Sequence, residues 1–368
     1  MPIFMDLHIA PGVTAREVAE AHLLDVKIQD KYSCKAMTYW LDPEKGCVFC
    51  LIEAPDKESV REMHAQAHGL IPNEIILVNT DLVKAFLGRI QDPENATRLP
   101  ESDIKVFSDS AFRILMTTKT TDTRLLQYGL GKERGQELLH LYNAVVREES
   151  RNHGGGEVYR KEEGFVVSYV SHSQALACSM AIQKKLQASA ATIGLRIALH
   201  GGVPVDKDDT IFGTTIRFSQ FMCTIGKPGE VSMSAVVRNL FKADDWSLKM
   251  EHSNLRCLAP ADETFLISLL HTLAANWQTS EFDVPDFCRI MSLSKSQLYR
   301  KCINSTGMSP NILLREYRLL RSLELLRDEQ RNIAQTTFDV GFGSPSYFTK
   351  CFQKRFGLQP LAYMRARV

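Results

Sequence analysis

The strongest constraint on the fold is a helix, tight turn and second helix that occurs twice near the C-terminal end. In the first copy the turn ends at Ser294, whose hydroxyl can cap the helix that follows. In the second copy Gly341 can adopt the left-handed conformation that ends a helix, and Ser344 opens the next one. A long amphipathic helix over 310–328 separates the copies. From residue 265 onward the chain is therefore predicted to be almost wholly helical.

The second helix of each copy has one apolar face and one polar face. The inward positions are Leu298 and Cys302 in the first copy and Phe348, Cys351, Phe352 and Phe356 in the second. The outward positions are Lys295, Ser296, Tyr299 and Arg300, and then Ser346, Thr349, Lys350 and Gln353. Short polar and cationic faces suit helices that enter the major groove of DNA, and they also suit solvated faces of an all-α bundle.

The run from Gly341 to Pro360, GFGSPSYFTKCFQKRFGLQP, resembles the signature of the AraC/XylS family of transcriptional regulators. The resemblance implies two helix-turn-helix units whose recognition helices enter successive major grooves of double-stranded DNA. By position it implies DNA contacts from Ser296, Tyr299 and Arg300 in the first unit and from Pro345, Ser346, Thr349 and Lys350 in the second. Gln353 stands where lysine or arginine is usual, which bears on affinity and target sequence rather than on the fold.

Charge is distributed unevenly along the chain. Residues 271–368 hold 14 Lys/Arg and 8 Asp/Glu, whereas the remainder holds 30 Lys/Arg and 35 Asp/Glu. A basic end beside an acidic remainder indicates a polyanionic partner for that end alone, or a chance asymmetry.

Residues 1–85 alternate strand-like and helix-like patterns in the order βαββαβ, which predicts a ferredoxin-like domain. Thr14 and Glu17 are spaced as the capping box of the first helix. The second helix is predicted over 59–69, with Gly69 at its end. A polar segment over 86–109 is predicted to be a linker.

Histidines and a cysteine of this first domain form a candidate metal site. His64 and His68 are four residues apart on one helix face, and His8, His22 and Cys50 add imidazole and thiol groups suited to nickel or another divalent transition metal. The same residues could instead be hydrogen-bonded core side chains. Together with the segments 5–8, 48–55 and 64–69, they resemble a small ferredoxin-like family of nickel-binding proteins, which implies a metal-binding or sensor domain.

Residues 110–264 are predicted to form a second mixed α+β domain. The segments 195–202, 211–213 and 227–234 resemble the class III nucleotide cyclases. Cyclisation needs two carboxylates that hold two metal ions on the phosphates. The positions that match the catalytic groups hold Thr118, Glu163, Arg217 and Phe221, which include a single carboxylate. The resemblance therefore implies a degenerate cyclase-like domain that is not an enzyme and serves in dimerisation, ligand sensing or spacing.

The whole chain is thus predicted to be multidomain, α+β and then all-α, with the all-α DNA-binding domain over 265–368. The expected function is sequence-specific regulation of transcription, as a homodimer, under a metal or small-molecule effector bound by the first two domains. The alternatives are an active nucleotide cyclase tethered to DNA, and a metal-binding protein with incidental DNA affinity. An acidic N-terminal start, nine unpatterned cysteines and no long apolar run lead us to expect a cytoplasmic protein without membrane contact.

Overall fold

The computed structural model describes residues 1–43, 45–94, 96–98, 104–161, 164–242, 254–328 and 330–366. Within these ranges the chain forms two mixed α+β regions followed by an all-helical region. This is the multidomain order, α+β and then all-α, that the sequence predicts.

The first region is a four-stranded antiparallel sheet with the predicted βαββαβ order. Its sheet order is β2-β3-β1-β4, as in a ferredoxin-like fold. A third helix follows the last strand. The elements are β1 (Ile3–Ile9), α1 (Ala15–Ile28), β2 (Lys35–Asp42), β3 (Cys47–Glu53), α2 (Lys57–Ala67), β4 (Glu74–Val78) and α3 (Thr80–Leu87), with a 3-10 turn at Gln29–Tyr32.

Side-chain caps set where the first two helices begin. Thr14 and Glu17 form the predicted capping box of α1. The second helix begins at Lys57, two residues earlier than predicted, because Asp56 is its cap and the Asp56 carboxylate accepts from the Ser59 amide at 2.8 Å. Gly69 has a left-handed backbone, with φ at 80°, just beyond the helix end.

The segment predicted as a linker packs closely against the first sheet. It contains the two-stranded pair β5 (Thr97–Arg98) and β6 (Lys105–Val106). Phe107 stacks on Tyr39 with ring centroids 4.1 Å apart, and the Arg89 guanidinium lies 4.5 Å from the Trp40 ring and donates to the Tyr39 carbonyl at 2.6 Å. These contacts give the segment a more fixed position than a polar linker requires.

The second region is built on a six-stranded sheet in the order β12-β11-β10-β7-β9-β8. Strand β10 pairs antiparallel with β7 and parallel with β11. The elements are β7 (Arg113–Lys119), α4 (Thr123–Leu130), α5 (Lys132–Asn152), β8 (Gly156–Lys161), β9 (Gly164–Tyr169), α6 (His172–Lys185), α7 (Ala190–Ile193), β10 (Arg196–Gly202), α8 (Gly213–Ile225), β11 (Val231–Met233), α9 (Ala235–Arg238) and β12 (Leu255–Cys257).

The C-terminal region is helical, as predicted. Its long helix α13 joins two short helix pairs, and α10 precedes the first of them. The elements are α10 (Pro260–Asn276), α11 (Val284–Ile290), α12 (Lys295–Thr306), α13 (Pro310–Leu325), α14 (Ile333–Asp339), α15 (Pro345–Phe356) and α16 (Pro360–Arg365).

Hydrophobic clusters join neighbouring regions. One face of the first sheet packs under α1 and α2, while Met5, Phe49 and Leu51 on the other face share a cluster with Leu115 and Phe212 of the second region. A further cluster joins α8 of the second region to α10 and the first helix pair, and a separate cluster holds the second pair. No helix among the described residues is long and apolar enough to cross a membrane.

Candidate metal centre and nucleic-acid interface

The two outer helices α12 and α15 are built to the same plan. Ser294 and Gln297 form a capping box at the start of α12, and Ser344 caps α15 by accepting from the Tyr347 amide. Each helix ends at a glycine in the left-handed conformation, Gly307 and Gly357. Both helices therefore have fixed ends and a length of 12 residues.

The turns before these helices use the same backbone conformation in the same place. Ser292 has φ at 52° and Gly341 has φ at 77°. The sequence predicts the left-handed residue only at the second turn, since glycine signals it and serine does not. A Cβ atom on Gly341 would lie 2.4 Å from the carbonyl oxygen of Trp277, so the second turn also needs glycine for space.

The apolar face of each helix is buried where the spacing predicts. Leu298 and Cys302 are buried in the first unit, and Phe348 and Phe352 are buried in the second. Cys351 and Phe356 are half-buried at the margin of the second cluster.

Most residues predicted to contact DNA are exposed. Lys295, Ser296 and Arg300 are exposed on α12 and Ser346 and Lys350 on α15, whereas Tyr299, Pro345 and Thr349 are half-buried. Within the described chain no ion pair or hydrogen bond engages the side chains of Lys295, Arg300 or Lys350, which leaves these cations available to a partner.

Tyr347 of α15 is exposed but is not among the residues predicted to contact DNA. Tyr347 keeps 53% of its surface in solvent although it is aromatic, and it lies between Ser346 and the buried Phe348. An exposed aromatic side chain beside cationic groups adds an apolar contact to the same face.

A cluster of ligand-type side chains lies between the first sheet and its helices. Asp6, His8, Cys50 and His64 are all buried, and each offers one ligand atom within 4.8 Å of the others. Asp6 and Cys50 are directly opposite on β1 and β3, and His64 reaches them from α2. The fold therefore brings together three of the five ligands that the sequence predicts, with an aspartate that it does not.

His64 connects this cluster to a second one. Its Nε2 lies 2.9 Å from Oδ2 of Asp6, and its Nδ1 lies 3.1 Å from Oδ1 of Asp25. His68, one turn later, has Nε2 at 3.3 Å from the same Asp25 oxygen. The predicted pair His64 and His68 is thus adjacent, and Asp25 of α1 is its third member.

His22 lies apart from both clusters. Its ring packs against Tyr39 at 5.3 Å between centroids, and its Nε2 is 4.0 Å from a carboxylate oxygen of Asp92. Burial lowers the pKa of His22, against the carboxylates of Asp92 and Asp25, which raise it. A half-buried histidine beside a carboxylate agrees with the core role that the sequence left open for this residue.

The buried carboxylates hold a proton on His64. Burial on its own lowers the pKa of His64, but the charges and hydrogen bonds of Asp6 and Asp25 outweigh it and raise the pKa to about 10. In turn, burial raises the pKa of Asp6 while His8 and His64 bring it below its usual range. Burial and the Asp6 charge raise the pKa of the Cys50 thiol.

The donor set fits a divalent transition metal. Neither ring nitrogen of His8 has a hydrogen-bond partner within the described chain, although Nε2 lies 3.4 Å from Oδ1 of Asp6. Buried polar groups without partners are rare, and a metal ion would satisfy this one. Imidazole, thiolate and carboxylate together suit nickel, zinc or copper.

Three of the four positions matched to cyclase catalysis hold groups that already make contacts within the fold. Thr118 is buried, with its hydroxyl 2.5 Å from that of Tyr142 and accepting from the Phe165 amide at 3.1 Å. Arg217 forms an ion pair with Asp208, and Phe221 is buried. Glu163 lies outside the described residues.

Comparison with known proteins bears on the two ends of the chain. Residues 287–366 match the family model described as a helix-turn-helix domain. A transcriptional activator of the same type, RhaR of Pectobacterium atrosepticum, is 33% identical over 103 residues, which are 28% of this chain and 36% of that protein. The C-terminal domain is an AraC-type helix-turn-helix domain. The chain spans less than half the length of the curated relatives that it matches first.

Residues 4–78 match the family described as nickel responsive protein SCO4226-like. The crystal structure of SCO4226 from Streptomyces coelicolor is 32% identical, covers 21% of this chain and 94% of that one, and has a TM-score of 0.20. The resemblance to a nickel family that the sequence indicates is confirmed for this domain.

The second region is similar to an adenylate/guanylate cyclase/hydrolase structure from Silicibacter pomeroyi. The identity is 19%, the coverage is 37% of this chain and 82% of that one, and the TM-score is 0.32. A likeness of this size says nothing about activity, so the loss of catalysis stays a prediction.

Proposed function

We propose that the chain is a sequence-specific DNA-binding regulator of transcription. The observation that carries the proposal is the pair of capped helices in the AraC-type domain, each with a buried apolar face and an exposed cationic outer face. Helix-turn-helix proteins use such faces to donate to base edges and phosphates in the major groove.

Arg300 and Lys350 would carry the strongest contacts. Both are exposed, neither has an ion pair or hydrogen bond among the described residues, and they occupy matching places in the two units. An arginine in the major groove can donate to both O6 and N7 of guanine, while a lysine acts as a point charge toward a base or phosphate. Ser296, Ser346 and Thr349 would add shorter hydrogen bonds.

The histidine cluster supports a metal-sensing role for the first domain. A bound divalent ion would supply a positive charge shared among the buried donors. Asp6, His8, Cys50 and His64 would hold it, and His64 would give up the proton on Nε2 while its Nδ1 continues to donate to Asp25 of α1. The positions of β1, β3 and α2 relative to one another would then depend on metal.

The other face of the same sheet offers a route toward the DNA-binding domain. Met5 and Leu51 pack against the second region, and α8 of that region packs against α10 and the first helix-turn-helix unit. A metal-dependent shift of the first sheet would bias the second region and thereby the recognition helices.

Selection of DNA sequences from a random library by the full chain at physiological salt tests this function. We expect one enriched motif with two half-elements about one helical turn apart, and a change in its recovery when nickel is added. Diffuse recovery of all sequences with steep salt dependence would contradict specific recognition.

Pairing of two copies is part of the proposal, because the resemblance of the second region implies it. Sedimentation of the full chain, with and without the selected DNA, measures it directly. A chain that stays monomeric on its DNA contradicts the homodimer and leaves the two helix-turn-helix units to read the site alone.

A further inference from the structure

A cavity between the second region and the DNA-binding domain has no part in the proposed function. Its volume is about 540 Å³, within the usual range for small-molecule sites. One wall is formed by the ends of β7 and β9 and by α8. The opposite wall is formed by α10 and by α13, the helix that joins the two helix-turn-helix units.

Cations outnumber carboxylates in the lining of this cavity. Lys119, Arg217 and Arg321 line it, against the single carboxylate of Glu324. Arg217 is paired with Asp208, which also lies on the second region. Arg321 donates to Glu324 at 3.0 Å and to the Tyr317 hydroxyl at 3.1 Å, so part of its charge is met within α13 itself.

Among the cations that line the cavity, Lys119 differs in having no ion pair or hydrogen bond among the described residues. It is half-buried at the end of β7, and no ion pair or hydrogen bond to its ammonium group is present within the described chain. Burial lowers its pKa, against the nearby Glu324 charge, which raises it. A buried ammonium group is costly unless it is paired, so an anion entering the cavity would gain a strong, partly desolvated contact.

A further part of the lining is apolar and partly aromatic. Phe165 and Phe221 contribute from the second region, and Leu270, Ala274 and Leu320 contribute from the helices opposite. This combination would bury an apolar body and orient one acidic group toward Lys119.

We propose that this cavity is a regulatory site for a small organic anion, a carboxylate or phosphate carried on an apolar body. The inference rests on the proposed function for its regulatory part. A ligand there touches the second region and α13 at once, so its affinity differs between arrangements of the two, and by linkage it biases DNA binding.

Binding is tested on the full chain with matched acid and neutral probes. The probes are naphthalene-2-carboxylate against its carboxamide, and adenosine monophosphate against adenosine, followed by saturation-transfer NMR. We expect at least one acid to bind and its neutral partner to bind about tenfold more weakly or not at all, as for a lost charged hydrogen bond. Equal binding of acid and neutral members, or no binding of either acid at millimolar concentration, overturns the site.

Variants locate the binding. Lys119→Met should weaken the acid about tenfold or more, whereas Lys227→Met, at an exposed lysine outside the cavity lining, should not change it. Arg321→Gln on the opposite wall gives a second test should Lys119→Met fail to fold. Unchanged acid affinity in a folded Lys119→Met or Arg321→Gln chain overturns the assignment.

Regulation of DNA binding by the anion is tested separately, by measuring the affinity of the chain for DNA. The acid that binds should change the Kd for the selected DNA about fivefold or more, while its neutral partner should not. Acid binding with an unchanged DNA Kd overturns regulation. Because the NMR measurement contains no DNA, a chain that proves unable to bind DNA still confirms or overturns the anion site.

Discussion

His64 is the residue on which the first domain depends most. It lies between the carboxylates of Asp6 and Asp25, at 2.9 and 3.1 Å, with almost no solvent access. Removing one partner from a buried charge network leaves the others uncompensated, which typically costs about 3–5 kcal/mol. The metal-free domain therefore relies on a protonated histidine.

We predict that His64→Gln lowers the free energy of unfolding by about 3–5 kcal/mol near neutral pH in the presence of a chelator. The folded pKa of His64 is raised from 6.5 to about 10, so its contribution is complete below pH 6.5 and is lost as pH rises through about 10. Urea unfolding at several pH values measures the gap between variant and parent. A gap that widens toward pH 10 would contradict this assignment, and His140→Gln, at an exposed histidine, is the control.

Metal binding should depend on Cys50 and His64 of the cluster but not on His22. We predict that nickel added to the full chain produces a thiolate-to-metal absorption band that Cys50→Ser abolishes and His64→Gln strongly weakens. His22→Gln should retain the band, because His22 lies against Tyr39 outside the cluster. Loss of the band in His22→Gln with retention in Cys50→Ser would refute the site.

Ser292 and Gly341 have similar left-handed backbones, but we expect substitutions at them to have opposite effects on stability. Gly341→Ala should destabilise the chain by about 2 kcal/mol or more, since a left-handed L-residue costs about 1–2 kcal/mol and its Cβ would meet the Trp277 carbonyl. Ser292→Gly should leave stability unchanged or raise it by about 0.5 kcal/mol. Thermal unfolding monitored by circular dichroism measures both, and a tolerated Gly341→Ala would show that the turn is not constrained.

Sequence reasoning found the chemically distinctive residues and missed their partners. Histidine and cysteine are rare enough to stand out, whereas Asp6 and Asp25 look like ordinary charges. The available signal was an acid two residues before His8, on the same face of an alternating strand. Asp25 joins the cluster because α1 packs against α2, and no sequence pattern predicts that packing.

At the scale of elements, the carboxylate of Asp122 connects α4 with the second helix-turn-helix unit through hydrogen bonds. Asp122 caps α4 by accepting from the Leu125 amide at 3.1 Å. Its other oxygen accepts from the Tyr363 hydroxyl at 2.7 Å and from the Arg327 guanidinium. This contact lies three residues beyond Lys119, so one short segment connects the cavity with the second unit.

We predict that Asp122→Asn weakens this contact while preserving the helix cap, since asparagine caps as well as aspartate. The expected loss is about 1–3 kcal/mol, as for hydrogen bonds to a charged group. Asp122→Ala should lose the cap as well, by about 1 kcal/mol more. Chemical unfolding of the three chains measures the order, and equal stability of Asp122→Asn and the parent would contradict a role in holding the second unit.

Local chemistry explains which elements could be predicted. The capping box at Thr14, the turn at Gly341 and the buried face of α15 follow from short-range patterns. The early start of α2 depends on Asp56, whose side chain caps the helix ahead of the predicted first residue. The packing of the segment that begins at residue 86 depends on contacts of Arg89 with Trp40 and of Phe107 with Tyr39. These partners are distant in sequence, so short-range patterns do not predict the contacts.

At the scale of the whole molecule, the second region lies between the metal cluster and the DNA-binding domain. Its sheet meets the first sheet on one side, and its helix α8 packs against α10 on the other. Composition alone indicated only that the C-terminal end is more basic than the rest. The contacts between regions were not predictable, because apolar residues that join two domains look the same in sequence as those that form one core.

The most direct test of the account is the affinity of the full chain for its selected DNA when each recognition helix loses one exposed cation. We predict that Arg300→Ala and Lys350→Ala each raise the Kd about tenfold or more, by about 1–3 kcal/mol if the cation contacts a base, and that the losses roughly add in the double variant. Lys227→Ala, at an exposed lysine of the second region, serves as the control. If both single variants bind the selected DNA as tightly as the parent, the outer faces of α12 and α15 do not read DNA.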